Sequence, residues 1–338
     1  EMCIRDSLGF DFTFLQNRLT FCADIFERKV TDILIPGGKD YPALIGDDNL
    51  PFENAGVLKT TGFELQAKWS DKLSNGFAYS VGVALSDDKA EVLSYPSNPT
   101  NKIGDGVLYK GYTVGDIWGY ETGGILQESD FDGVGPNGKP LYHGAYFKGG
   151  QPYPGYVWYQ DLDHDGVITS GLSTVDDPGD KKVIGNNAPR YRYNITANFQ
   201  YKGFDLDLMF QGVGKRDYWL KDVSSYWGGG AGSWETYNQS WTPERTDAKF
   251  PMYGSGIGSY AQSGYLLDAS YIKLKQVILG YTFPKALIGK VGLKKLRLNI
   301  AAYNLFTLSD VPKYYDSDYL SDAYPPKRTF SVGIQVGF

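Results

Sequence analysis

Between positions 191 and 201, the odd-numbered side chains are Tyr191, Tyr193, Ile195, Ala197, Phe199 and Tyr201, all apolar or aromatic. The even-numbered ones, Arg192, Asn194, Thr196, Asn198 and Gln200, are all polar. A period of two places successive side chains on opposite faces, so this segment reads as a strand with one dry and one wet face. Its length matches the roughly 9–11 residues with which a tilted strand crosses a bilayer. The same alternation recurs at 10–14, 19–25, 63–69, 77–85, 204–210, 277–283, 296–302 and 330–338. Nine strands result.

The connections alternate as well. Short ones fall at 16–18, 71–76, 202–203 and 284–293, and long ones at 34–56, 92–188, 219–269 and 309–327. Short turns at one end and long loops at the other is the layout of an outer-membrane β-barrel, whose long loops face the exterior. The pattern therefore predicts an all-β, antiparallel transmembrane β-barrel fragment, with 92–188 and 219–269 as its principal extracellular loops. A soluble antiparallel sandwich also alternates. It does not usually carry aromatics on nearly every apolar face, or a connection of almost a hundred residues. Single-chain bacterial barrels have even strand numbers, so nine strands read as a piece of a larger one.

Composition then narrows the function. The chain has 338 residues, 42% of them hydrophobic, and a formal charge of −6. That balance argues against a nucleic-acid binder, which presents clustered basic surface. No uninterrupted apolar run exceeds four residues, which excludes a spanning helix but not a spanning strand. The 27 tyrosines, 18 phenylalanines, 42 glycines and 17 prolines suit strands punctuated by turns. Two cysteines and two histidines leave little for a disulfide framework, a zinc centre or a Ser-His-Asp hydrolase, so no enzyme activity is expected. The opening residues 1–7 are read as a non-native leader, with the barrel part spanning 8–338.

Three local features carry candidate chemistry. Asp161-Leu162-Asp163-His164-Asp165-Gly166-Val167 has acids at positions 1, 3 and 5 and glycine at 6, the front half of an EF-hand-like calcium loop. Ca²⁺ takes six to eight oxygens, and alternate acids converge on one side of the tight turn that glycine permits. Asp161, Asp163, Asp165 and the Val167 carbonyl are the candidate Ca²⁺ ligands. Position 12 is Leu172, which supplies no carboxylate, so Asp176, Asp177 or Asp180 would have to replace it. An acidic Asx-type turn is the alternative. The loops also hold most tryptophans. Trp227 and Trp234, beside a glycine tract, with Trp118 and Trp158, are candidate ligand contacts; the alternatives are loop-packing anchors or a membrane-edge girdle. Phe338 closes the last strand as a candidate recognition signal for the outer-membrane assembly machinery.

Lys59-Thr60-Thr61-Gly62-Phe63-Glu64-Leu65, the segment Gly115-Asp116-Ile117-Trp118-Gly119-Tyr120, the acidic loop followed by Ile184-Gly185-Asn186-Asn187-Ala188-Pro189-Arg190-Tyr191, and Phe210-Gln211-Gly212-Val213-Gly214-Lys215-Arg216-Asp217 follow one another along the chain. Ser240-Trp241-Thr242-Pro243-Glu244, Tyr271-Ile272-Lys273-Leu274-Lys275 and Asn304-Leu305-Phe306-Thr307 continue the series. Each motif is moderately specific, and together, in this order, they resemble the C-terminal part of a SusC/RagA-type TonB-dependent outer-membrane transporter of the Bacteroidetes. The resemblance implies the last nine strands of a 22-strand barrel in a Gram-negative outer membrane. It also implies nutrient import of glycans, oligosaccharides or peptides, with a SusD-like lipoprotein and the TonB-ExbB-ExbD energy complex as partners, the latter through N-terminal parts outside this chain. A passive porin or surface adhesion barrel is the rival expectation, and a secreted calcium-dependent glycan-binding β-protein a more distant one.

Overall fold

A computed structural model describes residues 2–37, 51–219, 237–255, 260–311, 315–320 and 326–338. Nine long strands form one antiparallel sheet: β1 (Met2–Phe14), β2 (Leu19–Pro36), β3 (Phe52–Lys72), β4 (Ala78–Ser94), β13 (Arg190–Tyr201), β14 (Phe204–Lys215), β17 (Tyr271–Thr282), β18 (Lys295–Ser309) and β19 (Thr329–Gly337). They pair in chain order, each with its sequence neighbours, so the expected nine-strand meander is the observed one. Several strands run beyond the segments read from alternation, β3 by more than ten residues. The first strand also takes in Met2–Ser7, which pair with Phe26–Thr31, and Met2 and Ile4 share the parity of Leu8 and Phe10.

One face of the sheet is apolar and bare. Phe10, Phe12, Phe14, Ile25, Val83, Leu279, Ile300, Val332 and Ile334 are all exposed. Aromatic contacts on this face gather at the short-turn end. Phe77 packs on Tyr79, Phe199 and Tyr201, Phe204 lies 4.5 Å from Tyr281, and Tyr281 lies 4.9 Å from Phe283. That is the position of an aromatic belt at a membrane edge. The β13–β14 turn needs only two residues, Lys202 and Gly203, both with positive φ (46° and 88°), the backbone of a tight hairpin that glycine makes cheap. The 284–293 connection holds a helical turn, Lys285–Ile288, which tucks Ile288 against the sheet end.

A bulge decides what the long-loop end presents. Lys275 of β17 has no partner in the ladder with β14, where Met209 faces Gln276 and Phe210 faces Leu274. Unbroken alternation from Val277 would put Lys275, Lys273 and Tyr271 on the apolar face. The extra residue flips the register, as bulges do. Ile272 and Leu274 take the apolar side, and Tyr271 and Lys273 turn to the polar one.

The long connection after β4 folds into its own small β unit. Its strands are β5 (Asp116–Tyr120), β6 (Thr122–Ile125), β7 (Phe131–Val134), β8 (Pro140–Tyr142), β9 (Tyr146–Phe147), β10 (Val157–Tyr159), β11 (Val167–Ile168) and β12 (Lys181–Asn186). They pair two by two as β5–β12, β6–β10, β7–β8 and β9–β11. A shorter pair, β15 (Asp217–Tyr218) with β16 (Leu267–Asp268), closes the loop between β14 and β17. The core of this outer lobe is Tyr120, Val157, Tyr159 and Ile168, with Phe147, Phe250 and Tyr265 against it.

Candidate functional site

The polar face of the sheet carries a cavity of about 620 Å³ near its long-loop end. One row of register partners crosses it. Asp24 faces Glu64, Glu64 faces Ser86, Ser86 faces Arg192, and Arg192 faces Val213. Arg216 and Tyr271 line its far side. Two carboxylates thus stand directly opposite each other on neighbouring strands, an arrangement that costs energy unless something neutralises it.

Above the cavity, part of the 310–320 segment is fastened to the wall. Lys273, 2% exposed, donates to both Asp316 oxygens at 3.0 and 2.9 Å and to Asp318 at 2.8 Å. Lys275 reaches Asp318 at 2.9 Å, and the Tyr271 hydroxyl donates to the same carboxylate. Tyr218 donates to the Leu320 carbonyl, while Ala269, Val311 and Leu320 form a small buried cluster beside it. Burial pushes the Asp318 pKa up, but Lys273, Tyr271 and Lys275 outweigh it and hold the carboxyl at about 2. Sequence reading missed this group. Its one trace was Lys273 and Lys275 on the parity of Val277, charges that no lipid-facing row would carry.

In the acidic loop, Asp161 accepts from the His164 and Gly166 amides at 2.7 and 2.9 Å. Asp163 accepts from the Asp165 amide, and Asp165 from the Val167 amide. The turn requires positive φ at His164 and Gly166. Carboxylate oxygens of Asp161, Asp163 and Asp180 lie within 4.8 Å of one another. Asp165 is not in that group, and of Asp176, Asp177 and Asp180 it is Asp180 that lies beside Asp161 and Asp163. Asp180 is fully buried and accepts from the Leu162 and Thr169 amides, both at 2.7 Å, so it ties the loop's two ends together. Each carboxylate oxygen keeps a second lone pair, so a hard cation fits this donor set.

The tryptophans separate. Trp227 and Trp234 lie outside the described residues. Trp118 is a packing residue: its indole N–H donates to the Tyr109 hydroxyl at 2.9 Å, and its ring backs the cluster of Val92, Ile103, Tyr109 and Tyr112. Trp158 is 38% exposed on a strand whose other two residues, Val157 and Tyr159, are buried. It edges an open hollow with Gly124, Asp130 and Tyr142. Phe338 is exposed just past β19.

The two long loops are joined to each other. The Tyr120 amide donates to the Ala261 carbonyl (2.9 Å), Thr122 bonds Ser263, and the Gly264 amide donates to Thr122 Oγ1 (2.8 Å). Trp241, 4% exposed, donates to Gln127 Oε1 at 2.9 Å, and its ring lies over Gly155, where φ is +88° and any side chain would collide with the indole. Burial in the lobe pushes the Tyr120 and Tyr146 phenols up to about 12.

Comparison with known proteins agrees with this architecture. TonB-dependent receptor P3 of Formosa agariphila is 27% identical over 359 residues, covering 98% of this chain and 33% of the receptor. TonB-dependent receptor SusC of Bacteroides thetaiotaomicron is 25% identical over 349 residues, covering 98% of this chain and 31% of SusC. The chain is a relative of the SusC-type TonB-dependent receptors. It spans about a third of the length of the relatives it matches. Among solved structures, the RagAB peptide transporter superposes with a TM-score of 0.73 at 19% identity, over 99% of this chain and 35% of that one. The nine-strand sheet therefore has the fold of a barrel wall in this family. No protein-family model matches the chain.

Proposed function

We propose that this chain forms part of the wall and outer lobe of a TonB-dependent importer in the outer membrane of a Gram-negative bacterium. The carrying observation is the sheet itself, with a bare apolar exterior, a polar interior and long loops gathered at one end. In this reading the apolar face meets lipid, the polar face lines the lumen, and the lobe lies outside the cell. The transported nutrient is a glycan, oligosaccharide or peptide. A SusD-like surface lipoprotein delivers it, and TonB-ExbB-ExbD supplies the energy. RagAB, whose fold this sheet shares, is a peptide transporter, and SusC is a TonB-dependent receptor, which supports an import role. Uptake of labelled oligomers by cells with and without TonB tests the proposal. Transport that persists at full rate without TonB overturns it in favour of a passive porin.

The acidic loop is offered as a Ca²⁺ site of the outer lobe, held by Asp161, Asp163 and Asp180. The convergence of a buried third carboxylate favours it. Calorimetric titration of the intact transporter with CaCl₂ should give one binding event that Asp163→Asn removes. A flat titration retires it.

A further inference from the structure

The short-turn end of the wall combines bare aliphatic side chains with cations. The 284–293 connection buries Ile288 but exposes Leu287 (60%) and Val291 (72%). These two are four positions apart, in the successive turns Lys285–Ile288 and Gly289–Val291, a spacing that puts them on one side. Lys285, Lys290 and Lys294 stand among them, all exposed, and none forms an ion pair among the described residues. No aspartate or glutamate occurs between Asp268 and Asp310, in a chain whose formal charge is −6. The acid on the neighbouring strand, Asp205, is engaged by Arg297 on the polar face. A fourth cation comes from the next turn. The Thr282 amide donates to the Gly203 carbonyl at 2.7 Å, which sets the Lys202-Gly203 hairpin alongside. The Lys202 ammonium lies 5.1 Å from the ring of Tyr201, an aromatic of the apolar face. Lys294 shares the parity of Leu296 and Leu298 and so the same side, whereas Lys295 shares that of Arg297 and belongs to the lumen.

We propose that this edge is a docking surface for anionic phospholipid, with Lys202, Lys285, Lys290 and Lys294 around the headgroup phosphate and Leu287 and Val291 set among the acyl chains. The inference goes beyond import and rests only on the apolar face meeting lipid. Two observations carry it. The surface is continuous with the aromatic belt, because the Phe283 amide donates to the Leu296 carbonyl at 3.0 Å and both ends of the connection return to the belt's level. Its charge also has one sign, which is what an anionic headgroup layer attracts. Lysine suits the place, since its stem lies along apolar surface while the ammonium reaches the phosphates. Aliphatic side chains flanked by lysines are the pattern of a segment lying in the interface, and water alone leaves Leu287 and Val291 unburied. A zwitterionic headgroup carries its own ammonium and answers the four cations less well.

The test is native mass spectrometry of the complete transporter in detergent, offered equal amounts of dioleoyl phosphatidylglycerol and dioleoyl phosphatidylcholine. The unaltered protein retains the phosphatidylglycerol about tenfold or more over the phosphatidylcholine, and the preference shrinks as ionic strength rises. Changing Lys202, Lys285, Lys290 and Lys294 together to glutamine abolishes the preference. Changing Lys139 and Lys148 of the outer lobe to glutamine leaves it intact. Leu287→Ser with Val291→Ser weakens both lipids alike. Equal retention of the two lipids by the unaltered protein overturns the proposal whatever the variants do, as does a preference lost equally in the lobe variant. Displacement of the lipid by excess glycerol phosphate, which has the headgroup without the chains, overturns it in favour of a soluble phosphate ligand. Failure of the complete protein to insert into bilayers of either lipid removes the wall reading. Insertion with equal retention removes the lipid preference alone.

Discussion

Lys273 is the most demanding side chain in the wall, a fully buried ammonium between two aspartates. Its desolvation is offset only while the acids stay in place, and it is the sole cation on Asp316 among the described residues and one of two on Asp318. Lys273→Met keeps the volume and removes the charge, leaving two half-buried carboxylates side by side with only Lys275 to offset them. It should destabilise the protein by roughly 3–5 kcal/mol, read as a lower unfolding temperature in detergent. The same group sets a pH response. Asp318 has its carboxyl lowered from 3.8 to about 2 in the folded protein, so its contribution to stability is complete above the higher value and lost as pH falls through the lower one. That contribution is on the order of 2 kcal/mol. Hydrogen exchange of the 316–320 amides should therefore accelerate between pH 4 and pH 2 more than exchange in the acidic loop's buried strand partners. Equal acceleration would remove the latch as the cause. Beyond the misplaced parity of Lys273 and Lys275, none of this could be read from the sequence, because Asp316 and Asp318 approach Lys273 across more than forty positions.

At the scale of elements, alternation was enough for the nine strands, their order and their faces, since a two-residue period with apolar aromatics has few other uses. It was not enough for their lengths, because the upper parts of β2, β3 and β4 leave the apolar zone and lose the pattern while keeping the ladder. Nor did it give the bulge at Lys275, where one unpaired residue reverses the facing of everything before it. The candidate calcium loop shows the same limit. Spacing put Asp161 and Asp163 on one side of the turn, but it could not show that Asp180, far on from the loop's centre in sequence, folds back beside them while Asp165 does not. The facing of β19 offers a test of the wall. Val332 is on the bare apolar side, and its neighbour Ser331 points to the polar one. Val332→Arg should cost roughly 2–4 kcal/mol if that face meets lipid near the midplane, whereas Ser331→Arg should cost little. Folding yield in liposomes, compared between the two variants, checks the assignment; equal yields would contradict it.

At the scale of the molecule, two loops far apart in sequence share one core. The 116–186 unit brings Tyr120, Val157, Tyr159 and Ile168, and the 237–265 region covers them with Phe250 and Tyr265. Main-chain bonds stitch the seam at Tyr120–Ala261 and Met252–Gly155, the second at 2.7 Å. Trp241 sits at this seam, bonded to Gln127 of one loop and to the Phe250 carbonyl of its own. Glycine at position 155 is what lets the indole lie flat there. Removing the ring opens a cavity between the loops, and Trp241→Ala should cost about 3–5 kcal/mol. If the lobe is one cooperative unit, that cost appears in both loops together. Amides of β5, β6 and β10 should exchange faster in the variant, in step with those of 237–255, while β13 and β14 stay protected. Faster exchange confined to 237–255 would mean two independent loops that only touch. Faster exchange that spread into β13 and β14 would mean the lobe is no separate body but part of the wall.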